Sequence, residues 1–327
     1  MDGKCVYIAA LLFVHCLTSA LADTADQSAL FTLNSGNNGV ITLDISGMSL
    51  TGSIPSSLSN MSKLQELALD LNSLEGSIPR EIGDLRFLTL LNVQPNQLTG
   101  SVPNEIGNLR RLEVFGIHDS RISESSIRRI QVPRFFDKMQ KSIKNLYQRE
   151  SLNGILPASI GNLTSLVIFD AITCKISGYI PEEIGNLSKL VDLSLSDNDL
   201  TGFMPKTAEG LQNHERLYFD SNKISGSLPD NICNLQNLGD LNLTGSQISG
   251  PVPSCIGNIT SLRNLYLGSN NFSSSLPSSL WALKDLLRFD ASSNMLLGRV
   301  PPEIGNLKAE ILIDLSKNNF SGIMLLL

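Results

Sequence analysis

One interval governs this sequence. Gly52, Gly76 and Gly100, then Gly154, Gly178, Gly202, Gly226 and Gly250, then Gly298 and Gly322 recur at one fixed spacing within each group, and Ser274 fills the open place. Pro55, Pro79, Pro103, Pro157, Pro181, Pro205, Pro229, Pro253, Pro277 and Pro301 each follow an anchor by three residues, and Pro133 marks a displaced unit. A fixed period of about 20–29 residues with regular leucines is the signature of a stacked solenoid, in which each unit touches only its neighbours.

One unit shows why stacking is needed. Leu64, Leu67 and Leu69 precede Asn72, Leu74, Gly76, Ile78 and Pro79. Leu67 and Leu69 alternate at period two, which predicts a short strand with its leucines inward. The amide of Asn72 can satisfy backbone groups where the chain turns. Asn96, Asn198, Asn222, Asn270, Asn294 and Asn318 share its slot, so an asparagine ladder is expected. Gly76 permits the bend, Pro79 fixes φ on the outer side, and Ile82, Leu85 and Leu88 complete the wall.

Composition agrees with a folded chain. Of the 327 residues, 42% are hydrophobic and 17% charged, and the net charge of −6 disfavours a basic nucleic-acid binder. Lys4, the apolar stretch Val6 to Leu17 and Ala20-Leu21-Ala22 predict a signal peptide cleaved after Ala22. No later run reaches the ~20 apolar residues of a membrane span. The expected product is secreted or held at the cell surface. Cys174, Cys233 and Cys255 remain after cleavage. Cys174 falls in the ladder slot. Cys233 and Cys255 lie in outer segments of consecutive coils and are a possible disulfide. No CxxC pair, HExxH, GxSxG or phosphate-binding glycine loop is present, so no metal, cofactor or enzymatic activity is expected.

The pattern LxxLxxLxLxxNxLxGxIPxxIGNL resembles the plant-specific class of leucine-rich repeats. The resemblance covers residues 40–322 apart from one stretch. Gly52-Ser53-Ile54-Pro55, Glu183-Ile184-Gly185-Asn186-Leu187 and Leu315-Ser316-Lys317-Asn318-Asn319-Phe320-Ser321-Gly322 carry it. It implies an α/β-type solenoid, a curved stack of about 12 coils, with short parallel strands on a concave face and 3-10 or irregular segments on the convex face. The likeness is greatest to the ectodomains of receptor-like kinases of the defence-receptor type. The corresponding division is a signal peptide at 1–22, a cap remnant at 23–39, repeats at 40–123, an irregular basic repeat at 124–153, and repeats at 154–327.

Three departures stand out. Residues 23–39 lack the cysteine pair of the family's cap. The interval from Gly100 to Gly154 is too long for one unit and reads as two units plus six, with Glu124 to Arg129 as the extra residues. Residues 110–149 hold ten Lys/Arg against four Asp/Glu, a net +6. That stretch reads either as an excursion for an anionic partner or as a decayed repeat. The chain ends at Leu327 with no membrane span or kinase, so a truncated receptor is expected.

Function is expected on the outward strand positions of the concave face. Asp170, Asp192, Arg216, Tyr218, Asp220, Asp240, Tyr266, Arg288 and Asp290 form one candidate patch on neighbouring coils. Tyr and Arg are enriched at binding hot spots, and the carboxylates favour a cationic ligand. The resemblance implies a peptide or protein ligand and a possible co-receptor kinase. Asn60, Asn162, Asn186, Asn242, Asn258, Asn271 and Asn319 begin Asn-x-Ser/Thr sequons, and Asn242 alone falls in the concave column. Two alternatives stand beside a recognition module. One is a secreted inhibitor of a cell-wall-degrading enzyme, similar to the polygalacturonase-inhibiting proteins. The other is a decayed receptor fragment.

Overall fold

A computed structural model describes residues 40–117, 154–300, 302–307 and 312–322. The expected signal peptide at 1–22, the expected cap remnant at 23–39 and residues 124–153 lie outside them. The chain divides into two units, Met1–Ile176 and Ser177–Leu327.

In the first unit, strands Thr42–Asp44, Glu66–Ala68, Leu90–Asn92, Val114–Gly116 and Ile168–Asp170 pair in parallel in that order. In the second, Asp192–Ser194, Arg216–Tyr218, Asp240–Asn242, Asn264–Tyr266, Arg288–Asp290 and Leu312–Asp314 do the same. The middle residue of nearly every rung points inward and is buried, as Leu67, Leu91, Leu193, Leu217, Leu241 and Leu265 show. Behind each rung the chain returns through a short 3-10 segment such as Arg80–Asp84 or Glu182–Asn186. Pro79 and Pro181 precede these segments with φ of −69° and −65°, angles the proline ring imposes. This is the α/β leucine-rich solenoid that the period predicts.

Neighbouring rungs are normally one period apart in sequence, as in Leu90 with Val114, but Val114 pairs directly with Ile168, across the whole long interval. The expectation of two units plus six residues therefore differs from the register seen. No rung stands between these two strands, and the stack re-forms across the interval. Phe115 stacks on Phe169 with ring centroids 5.4 Å apart. Ser159 Oγ donates to the Asn104 carbonyl.

The asparagines bind successive coils together. Asn222 Nδ2 donates to the Leu195, Phe219 and Asp220 carbonyls, and its Oδ1 accepts from Leu200 N–H at 3.0 Å. Asn72 makes the same set to Ile45, Leu69 and Asp70, and accepts from Met48 and Leu50. Asn96, Asn270, Asn294 and Asn318 repeat the cross-coil donor bond, and Asn198 bonds the Leu195 and Ser196 carbonyls. The preceding residue is often left-handed, with φ near 54° at Asp197 and Ser221. That costs on the order of 1 kcal/mol at a non-glycine residue, which the amide's bonds offset. Cys174 fills the slot with a weaker donor, its thiol bonding the Ile117 and Ile172 carbonyls. Ser246 fills it without reaching a partner, and its buried Oγ is unbonded.

His214 departs from the pattern in another place. It takes the inward leucine slot of Leu190 and Leu238, is fully buried, and bonds through neither ring nitrogen. Burial pulls its pKa down to about 3.

Outcomes for three variants follow from these contacts. Asn222→Ala orphans one N–H and three carbonyl contacts, and should cost about 3 kcal/mol in urea unfolding, while Ser246→Asn should stabilise by about 1 kcal/mol. His214 is depressed in the folded state, so the unfolded chain binds its proton first as pH falls below 6.5. His214→Leu should therefore raise the unfolding midpoint at pH 7.5. Its advantage should grow by about 2 kcal/mol on going to pH 5. A pH-independent difference between variant and parent contradicts this reading.

Candidate functional site

The outward positions of the second unit's rungs form a continuous polar surface, because parallel pairing without offset stacks equivalent residues. Asp192 stands opposite Arg216, and Arg216 opposite Asp240, then Asn264 and Arg288. Ser194, Tyr218, Asn242, Tyr266 and Asp290 form the parallel column two residues on.

Side chains join these columns into a network. Arg216 Nε lies 3.2 Å from Asp192 Oδ2, and both side chains are more than nine-tenths buried. The contact is one of charge, because Arg216 Nε makes no aligned hydrogen bond. Tyr218 donates its hydroxyl to Asp240 Oδ2 at 3.0 Å, and Asn264 Nδ2 donates to Asp240 Oδ1. Burial first, and then the Asp240 charge, push the Tyr218 phenol above its ordinary value, so the ring stays neutral and donating. Arg288 Nη1 donates to the Tyr266 hydroxyl at 3.4 Å.

Other candidate residues have different settings. Asp220 accepts from Ser196 Oγ at 2.5 Å, while burial raises its pKa. Asp70 and Ser46 repeat this pair in the first unit at 2.6 Å. Asp290 Oδ1 accepts from Ser292 N–H at 2.8 Å, and its carboxylate covers Gly268, where a Cβ would come within 2.8 Å of Oδ2. Asp170 belongs to the first unit. Burial raises its pKa to about 7 against the opposing bond from Ile172 N–H.

The structure thus joins Asp192 to Arg216, Tyr218 to Asp240, and Tyr266 to Arg288. It ties Asp220 to Ser196 of the preceding coil and Asp290 to its own turn. The sequence reading missed Asn264, which shares the Asp240 carboxylate, and Ser196. Both lie in outward columns, and a same-column carboxylate one period away is the signal that finds them.

The remaining residues lie off this face. Asn60, Asn162, Asn186 and Asn258 end exposed 3-10 segments, and Asn271 and Asn319 open exposed lateral strands. Asn242 ends a rung. Cys233 and Cys255 are disulfide-bonded behind the rungs, with Cα atoms 5.9 Å apart. Among the described residues, no group of His, Cys, Asp and Glu could hold a metal ion. No helix there is long and apolar enough to cross a membrane.

The Leucine Rich Repeat family model matches residues 39–61, 215–235 and 261–283. No curated protein matches the sequence. Among solved structures, the chain is similar to the plant peptide hormone receptor RGFR1 in complex with RGF2. The identity is 31% and the TM-score 0.71, over 83% of this chain and 39% of that one. It is similar to the ectodomain of the Arabidopsis thaliana receptor kinase GASSHO1/SCHENGEN3, in complex with CASPARIAN STRIP INTEGRITY FACTOR 2. There the identity is 29% and the TM-score 0.68, over 90% of this chain and 34% of that one. A plant ice-binding protein is 25% identical with a TM-score of 0.62, over 86% of this chain and 80% of that one. The chain thus spans well under half the length of those two receptors. The repeat pattern, the rungs and these likenesses together give the chain a leucine-rich repeat solenoid fold, similar to plant receptor-kinase ectodomains.

Proposed function

We propose that this chain is an extracellular recognition module whose rung face in the second unit binds an extended peptide or protein segment bearing positive charge. The observation that carries this is the linked side-chain network running over successive rungs. Arg216 is held by Asp192, Tyr218 and Asn264 by Asp240, and Arg288 by Tyr266, with the tyrosines half-buried. Preordered aromatic and polar groups lose little conformational entropy on binding, which is the condition for a hot spot. Asp192, Asp220, Asp240 and Asp290 outnumber Arg216 and Arg288, so the face attracts cations. An extended ligand fits because equivalent side chains recur about every 4.8 Å along the stack. The two similar receptors support the reading, since each is seen in complex with a partner, RGF2 in one and CASPARIAN STRIP INTEGRITY FACTOR 2 in the other. The function is binding, and perception of an external signal is its natural use.

A displayed library of random peptides, selected on the secreted chain, tests this. The selected peptides should carry Lys or Arg and weaken with added salt. Tyr266→Ala and Asp240→Asn should each weaken them at least about ten-fold, near 1.4 kcal/mol. Glu183→Ala, on an exposed 3-10 segment, should leave binding unchanged. Peptides that bind the Tyr266→Ala and Asp240→Asn proteins as tightly as the parent overturn the proposal.

A further inference from the structure

We infer that Asn242 is an N-glycan acceptor in the middle of the rung face, and that its occupancy decides whether that face is open. This rests on the recognition reading above. Asn242 stands between Tyr218 and Tyr266, directly opposite both in the sheet register. It begins the sequon Asn242-Leu243-Thr244. Its Oδ1 accepts from Thr244 N–H at 3.1 Å, which fixes the side chain, and the residue is only partly buried. Nδ2 is the atom an N-glycan occupies. The bond from Thr244 uses Oδ1, so a glycan on Nδ2 leaves that bond in place.

The position separates Asn242 from the other sequons. Asn60, Asn162, Asn186 and Asn258 close 3-10 segments, and Asn271 and Asn319 open lateral strands, so glycans there stand off the rung face. Asn92 shares the outward column of Asn242, but Gln94 stands where a sequon needs Ser or Thr. A glycan on Asn242 projects between Tyr218 and Tyr266 on the flanking rungs and over Asp240 on its own rung. The donor is a polyprenyl-diphosphate-linked oligosaccharide. Asn242 Nδ2 bonds the anomeric carbon as the carbon–oxygen bond to diphosphate breaks. Nδ2 loses one proton, and the polyprenyl diphosphate leaves with the electron pair. Two populations of one chain follow: an open form without the Asn242 glycan and a covered form with it.

Secretion of the full chain from plant cells tests this in two readouts. Enzymatic deglycosylation in H2(18)O followed by peptide mass spectrometry should place 18O at Asn242 in a substantial fraction of molecules. Hydroxyl-radical footprinting of the intact glycoprotein should then show Tyr218 and Tyr266 oxidised several-fold more slowly than in two variants lacking the sequon, Asn242→Asp and Thr244→Ala. Asn242→Asp keeps the local turn, because Asp290 and Asp314 accept the equivalent bond at 2.8 and 2.9 Å. Tyr179, 72% exposed on a lateral strand, serves as the internal control and should not change. An unmodified Asn242 in the secreted chain overturns the inference, whether or not the other sequons are occupied. Equal oxidation of Tyr218 and Tyr266 in parent and variants also overturns it. If footprints change but no peptide binds any form, the recognition reading fails and the glycan assignment stands.

Discussion

The buried side-chain amide at most of the coil turns is the contact on which much of the stack depends. A single coil buries too few leucines to hold its own shape, and its turn leaves backbone groups facing the interior. Asn72 and Asn222 satisfy those groups in their own coil and in the preceding one with a single side chain. The bond that closes a turn is therefore also the bond that sets the distance to the next rung. Pairing without offset follows, and with it the stacking of outward residues into columns. The polar rung face is a consequence of that repeat: Tyr218 reaches Asp240, and Arg288 reaches Tyr266, each across 22 residues of sequence.

The regular parts of the fold were legible in the sequence for the same reason. Period, proline slot and ladder asparagines are local signals repeated many times, so one misread unit does not mislead. The long interval was legible only as an anomaly. Gly100 to Gly154 looks like two units plus six residues when counted along the chain. The register instead places Val114 beside Ile168, and Cys174 reaches the Ile117 carbonyl 57 residues back, where Asn72 reaches 27. Which strand lies beside Val114 depends on packing between rungs, here Phe115 on Phe169, and no single-strand pattern carries that information.

The site was legible in part. Outward columns follow from the strand period and the repeat period together, so Asp192, Arg216, Tyr218, Asp240, Tyr266 and Arg288 could be named from position alone. Their pairing could not, because it depends on which rotamer each long side chain adopts across a step of about 4.8 Å. Asp290 and Asp220 show the limit. Both are acidic and outward, yet one closes a turn with Ser292 and the other is held by Ser196. His214 was unremarkable as a residue type. Its meaning comes from burial in a leucine slot with no partner for either nitrogen.

The measurement that bears most directly on the recognition face is hydrogen exchange of the secreted chain with and without a library-selected peptide. The account expects added protection centred on Arg216–Tyr218, Asp240–Asn242, Asn264–Tyr266 and Arg288–Asp290. Protection confined to the 3-10 segments or the lateral strands, with these four rungs unchanged, contradicts it.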